Sequence, residues 1–361
     1  MSARPRWARW VTTISLVFAI SALCYTVYDI GPSTIAEKFS QIGWWWLAVI
    51  GLEVTITSLD ALAMRSFMSP EQDQIRWRDA LLAQLAGRAV NAVTPTGNLG
   101  EAVKVSVLVE HVSQSRAVAT ILLYNIVSFM VELMVVVVAA PIMVLLNPWL
   151  PGSIKALVLV AAGVCLIITF ALYLAVKGGI LVGIARFARR IRLLSKPRFE
   201  SWVVHLRAVD DKLRLVSGAR GRDRATGVVA NVLSRCASMT LSAALLTAVG
   251  VELTVGFFAS LMVAGFAIYM VGSLVPMGLG VSEGGNDALF KALHHDAGGG
   301  VTAVLARRVT LVMYAAIGLF LVTTNITVRR ARERSMAQKR AAQQADSLGA
   351  LPQIGRAASE P

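Results

Sequence analysis

The sequence predicts an all-α, polytopic membrane protein with six full spans and two re-entrant broken helical hairpins arranged as an inverted repeat. Three observations predict it. Hydrophobic residues fill 56% of 361 positions and charged residues only 16%. Six apolar runs reach the length of about 20 residues that crosses a hydrocarbon core. Two further apolar stretches are interrupted at matching places by Pro and Gly. A mean hydropathy of +0.65 is far from the balance of a soluble surface, so lipid is the expected solvent.

The full spans are expected near 10–28, 44–63, 117–141, 155–176, 226–250 and 301–325, and the broken stretches cover 80–111 and 255–296. Arg4, Arg6 and Arg9 before the run from Val11 to Val27 have the outline of a signal peptide. Ser21-Ala22-Leu23-Cys24 resembles a lipoprotein site only loosely, because a large Leu23 stands where a small residue is expected, so the run reads as an uncleaved first span. Together these elements make one membrane domain, 1–326, followed over 327–361 by a tail that is basic and then rich in Ala, Gln, Ser and Gly, a composition expected to be disordered.

Net charge is +14, but the basic residues cluster beside apolar spans without aromatic interleaving, which argues against nucleic acid and for orientation signals. The 177–224 loop carries the densest cluster, including Arg186, Arg189, Arg190 and Arg192, and is expected to be cytoplasmic. Within it Ile180, Ile184, Phe187, Ile191 and Leu194 recur at helical spacing opposite arginines, the pattern of an interfacial helix on an anionic leaflet. Threading these signs along the chain puts both termini in the cytoplasm of a plasma (inner) membrane. The first broken stretch then opens inward between Arg78 and Arg116, and the second outward between Glu252 and Ala297.

The broken stretches carry the functional argument. Arg88 and Asn91 lead into Pro95, Gly97, Asn98, Gly100, Glu101 and Lys104. The second stretch has Pro276, Gly278, Gly280, Ser282 and Glu283. Each runs helix, Pro, two spaced glycines, Glu, helix. Pro removes a backbone donor and Gly tolerates unusual dihedrals, so the chain can unwind and restart. Paired interrupted segments are the best sequence pointer to a transporter's substrate site. Asn98 and Glu101 have capping-box spacing, and Ser282 stands before Glu283 at the second restart. Each restarted helix would offer amides and a partial positive end, a fit for phosphate. Charges at such depth cost about 2.5–3.5 kcal/mol each on insertion scales, so Arg88, Glu101, Lys104 and Glu283 are expected to face a polar cavity. The plainer alternative is that the glutamates cap helix starts and the glycines permit close packing.

Asn125, Glu132, Asn231 and Arg235 could line the same cavity, with Arg307 and Arg308 at the start of the last span. Arg235 stands out, because an arginine inside an apolar span needs a partner or water. His294-His295-Asp296 before a Gly-rich turn reads as a loop and Asp210-Asp211 as a solvated helix face. Cys24, Cys165 and Cys236 have no metal-ligand spacing. No metal or cofactor is called for.

At Asn91, Pro95, Gly97, Gly100, Glu101 and Lys104, and again at Pro276, Gly278, Gly280 and Glu283, the chain resembles the transmembrane flippase-like region of lysylphosphatidylglycerol synthases. The resemblance covers roughly residues 10–326. It implies eight membrane elements, two of them re-entrant, and a cavity for a phospholipid or a polyprenyl or hopanoid lipid. It does not extend to the soluble aminoacyl-transfer domain of the full-length synthases. Lys104 stands where Arg is usual, Thr96 and Met277 where Gly is frequent, and Tyr124, Asn125 and Ser128 where an Arg and an Asp are often found. The resulting expectation is a non-enzymatic lipid flippase or transporter gripping an anionic or phosphate-bearing head group. The alternatives are a membrane-embedded lipid-modifying transferase, which would need a nucleotide or tRNA site, and a non-transporting accessory subunit of an envelope-lipid pathway.

Overall fold

In a computed structural model of the chain, the structure describes residues 42–69, 71–93, 99–178, 221–273, 281–293, 304–313 and 315–320, together with 33, 37 and 40. The predicted span 10–28, most of the basic loop, the tail beyond 320 and both Pro-Gly interruptions lie outside the described residues. The helices are α1 (Trp45–Ser66), α2 (Trp77–Val93), α3 (Leu99–Leu108), α4 (Gln114–Leu146), α5 (Gly152–Gly178), α6 (Gly221–Ala248), α7 (Val255–Gly272) and α8 (Val281–Ala292). Residues 304–313 and 315–320 are also helical, and no strand occurs among the described residues.

This is a helical membrane protein: α1, α4, α5, α6 and α7 are each long and apolar enough to cross a bilayer. Ser113 caps α4 by accepting the Arg116 amide, and Thr254 caps α7 by accepting that of Phe257. The 33 residues of α4 run about 50 Å at 1.5 Å per residue, more than the core thickness of about 30 Å. One element differs in kind from the expectation. The start of the second broken stretch, α7, reaches span length by itself, because its 18 residues are apolar throughout and the Pro-Gly motif lies beyond its end.

Contacts across the bundle give the helix directions. Asp79 meets His111, Gly87 meets Lys104, and Asn91 meets Gly100. The two numbers in each pair sum to nearly the same value, so α2 and α3 run antiparallel. Their bases share one apolar cluster, in which Ile75, Ala80 and Ala83 join Leu108 and Val112. Phe257 stacks edge-on against Phe290, and Gly285 lies against Ile268, which makes α7 and α8 antiparallel as well.

The long helices α1 and α6 also run in opposite directions. Ser69 bonds Asp223, Gly227 lies under Phe67, and Ser234 bonds Asp60. At the other end Trp46 and Val49 share a cluster with Leu241 and Leu245. The α2–α3 pair has its base at the end of α1, and the α7–α8 pair has its base at the end of α6, where Leu246 joins Phe257 and Phe290. The two pairs therefore open at opposite ends of the bundle. Helix α4 starts at the first base and ends at the second, where Asn147 bonds the Gly256 carbonyl and Ser260. The last helical stretch returns, with Ala306 beside α1's start and Ala315 and Leu319 against Ala89 and Val90 of α2. Helix α5 packs mainly on α4 and turns Leu157, Val160, Ile167 and Phe170 outward, the composition of a lipid-facing surface.

Candidate functional site

Polar residues recur at helical spacing on the inner faces of the bundle. Glu53, Thr57 and Asp60 lie at i, i+4 and i+7 on α1, as do Gln84, Arg88 and Asn91 on α2, so each set forms one stripe. The stripes face each other. Arg88 donates to Glu53 at 3.0 Å and to Thr57 at 2.9 Å, and Gln84 donates to the Asp60 carbonyl at 3.3 Å. Both α1 acids fall near the middle of a 22-residue helix, the depth at which an unpaired charge is most costly.

A second group gathers on one carboxylate at the start of α3. Glu101 accepts from Asn91 of α2 at 3.2 Å, Lys104 of α3 at 3.0 Å and Asn125 of α4 at 3.1 Å. Three helices thus aim donors at a single carboxylate. Asn91 uses both ends of its amide, since its oxygen also accepts the Gly100 amide at 2.6 Å. That bond satisfies one of the orphan donors at the start of α3 and ties the two antiparallel limbs together. Glycine is required at the crossing: a methyl on Gly100 would collide with the Gly87 carbonyl, and one on Gly87 would stand 2.5 Å from Lys104. Lys104 is 4% exposed, and its ammonium lies 5.3 Å from the Tyr124 ring centroid, within cation–π range.

The third group spans α1, α4 and α6. Arg235 donates to Glu132 at 2.9 Å and reaches Asp60 at 3.5 Å, and Ser234 donates to Asp60 at 2.6 Å. One turn earlier on the same two helices, Asn231 donates to Ser128 at 2.7 Å. The hydroxyl of Tyr124 is close enough to Asp60, Arg235 and Arg88 to feel all three charges, so this one residue joins the three groups.

The sequence-predicted residues divide accordingly. Arg88, Asn91, Gly100, Glu101 and Lys104 come together, and Arg235 joins them through Tyr124 and Asp60. Pro95, Gly97, Asn98, Pro276, Gly278 and Gly280 lie outside the described residues, as does the side chain of Glu283. Ser282 opens α8 and its carbonyl accepts from Asn286 at 2.7 Å. Arg307 is exposed and donates to Ser242 at 3.2 Å, away from this cluster, and Arg308 is half-buried on the same turn. Glu53, Thr57, Asp60 and Gln84 are absent from the sequence-based set. The signal that singled out Arg235, an ionisable residue inside an apolar span, also applies to Glu53 and Asp60.

Chemically, the arrangement can bind and exchange polar groups within an apolar bundle. The chain matches the family described as the lysylphosphatidylglycerol synthase TM region over residues 12–318. No curated protein and no solved structure matches it.

Proposed function

The chain belongs to the family of the lysylphosphatidylglycerol synthase TM region, and from that premise we propose that it carries a phosphate-bearing lipid head group across the plasma membrane. In this reading the α2–α3 pair is a re-entrant hairpin and the α7–α8 pair, whose first limb is long enough to cross the bilayer, is its inverted counterpart entering from the opposite face, with both termini cytoplasmic. The ten residues of α3 rise about 15 Å, half the hydrocarbon core, in keeping with a helix that ends at mid-depth. The protein acts as a carrier and makes or breaks no covalent bond.

The observation that carries the proposal is the set of donors converging on Glu101. Asn91, Lys104 and Asn125 come from three helices, yet all three point at one carboxylate. A carboxylate and a phosphate monoanion present similar acceptor oxygens to such donors. Glu101 therefore holds the seat that a lipid phosphate takes, and the phosphate enters by displacing it. With the anion position filled internally, Lys104 is never left as an uncompensated charge between transport events. Because the incoming group replaces an existing partner, binding stays weak enough for release.

The test is mass spectrometry of lipids retained by the purified chain, with Lys104→Met and Lys104→Arg variants. Retention of one phosphate-bearing lipid class by wild type and Lys104→Arg, and its loss in Lys104→Met, is expected. Equal retention in all three would overturn the proposal.

A further inference from the structure

The donors around Glu101 match one negative charge spread over two oxygens. Oε1 of Glu101 accepts from Asn91 and Lys104, and Oε2 accepts from Asn125. Among the described residues these three side chains are the whole donor set, one ammonium and two carboxamides. Carboxamides carry no charge, so Lys104 is the one cation in contact with the carboxylate among those residues. The two guanidinia of the cluster hold carboxylates of their own, Arg88 on Glu53 and Arg235 on Glu132 and Asp60.

The neighbours of these donors offer little to a third anionic oxygen. The Lys104 ammonium also lies 5.3 Å from the Tyr124 ring centroid, and the electron-rich face of an aromatic ring attracts cations but repels anions. The Gly100 amide, a donor at the start of α3, is already used on Asn91 at 2.6 Å. That bond also fixes the Asn91 amide with its oxygen on Gly100 and its nitrogen on Glu101. Lys104 is buried, its side chain 5% exposed, so water is a poor substitute for a second cation beside it.

We infer that the seat selects a lipid phosphodiester over a lipid phosphomonoester. A diester carries one negative charge on two non-bridging oxygens and replaces Glu101 oxygen for oxygen and charge for charge. Asn91 and Lys104 meet one of these oxygens, and Asn125 meets the other. A monoester carries about −1.5 to −2 at pH 7 and a third acceptor oxygen. Its surplus charge finds no second ammonium at the seat, inside a bundle where uncompensated charge is costly. The favoured ligands are lipids whose phosphate is esterified to a further alcohol, and bare lipid monophosphates are disfavoured. The selection rests on the reading of Glu101 as the phosphate's place-holder.

Phosphatidylmethanol and phosphatidic acid with identical acyl chains differ by one methyl ester on the phosphate, and so isolate its charge. The purified full chain in detergent micelles is offered both in equal amounts, and the bound share of each is read by native mass spectrometry. At about pH 8 phosphatidylmethanol should bind about tenfold more tightly. At about pH 5, below the second phosphate ionisation near 6, phosphatidic acid is itself a monoanion. The two lipids should then bind nearly alike, with phosphatidylmethanol unchanged. Asn125→Lys brings a second ammonium to the seat and should move the preference at about pH 8 toward phosphatidic acid. Should that variant fail to fold, the wild-type pair of pH values still decides. Dimethyl phosphate at the same concentration should displace neither lipid, and displacement by it would assign the seat to a soluble diester and refute the lipid source. Equal binding at about pH 8, or a preference undiminished at about pH 5, would refute the selection while leaving the phosphate seat standing. Binding of neither lipid would remove the seat and the selection together.

Discussion

Substituting Gly100 by Ala isolates the contact on which the α2–α3 pair depends. The new methyl would overlap the Gly87 carbonyl and stand 2.5 Å from Asn91 Oδ1 and 2.6 Å from its Cγ. The Asn91 side chain can rotate away, but only by giving up its bond to the Gly100 amide, a loss of about 1 kcal/mol. The Gly87 carbonyl is helix backbone and cannot rotate, so the limbs must part, at a cost of about 1–3 kcal/mol for overpacking. Alanine returns at most about 1 kcal/mol of helix propensity. The net expectation is a loss of about 1–3 kcal/mol, measured by sodium dodecyl sulfate unfolding in mixed micelles. Gly163→Ala on α5 is the control, since a methyl there meets nothing within 4 Å, and it should leave stability unchanged or slightly higher. If Gly100→Ala unfolds with wild type, or if Gly163→Ala loses as much, the close antiparallel crossing is wrong.

Three further outcomes follow from the packing and the charges. Arg235→Met strands Asp60 and Glu132 and should cost about 3–5 kcal/mol in the same assay, with part regained on adding Asp60→Asn. Gly227→Ala places a methyl 2.6 Å from the Phe67 ring and should cost about 1–3 kcal/mol. Because the obstacle is a side chain, Phe67→Leu should relieve it, as a thermal melt of the double variant would show. His111→Gln breaks the 3.2 Å contact with Asp79 at the hairpin base. Both side chains are partly exposed there, so stability should change by less than about 1 kcal/mol.

How much of this was legible in the sequence depended on which residues carried the signal. Apolar runs located α1, α4, α5 and α6 within a few residues, because length and hydropathy are local properties. The matched Pro-Gly motifs pointed to α2–α3, and there Arg88, Asn91, Gly100, Glu101 and Lys104 do meet. The independence of α7 was harder to see, since its apolar run leads directly into the second motif and only coordinates separate the two. Glu53 and Asp60 were readable in principle as acids inside a span, spaced with Thr57 on one face. Their pairing with Arg88 and Arg235 was not, because partners 35 and 175 positions apart are fixed by the antiparallel packing of whole helices. Nor could the convergence on Glu101 be read from sequence, since Asn125 reaches it from α4.

The most direct test of the account is leaflet exchange of a labelled phosphate-bearing lipid in liposomes, comparing wild type with Glu101→Gln. Removing the internal anion leaves Asn91, Lys104 and Asn125 free for a phosphate, so the variant should retain lipid more tightly after purification and exchange it more slowly. Exchange and retention both equal to wild type would contradict the claim that Glu101 holds the phosphate's place.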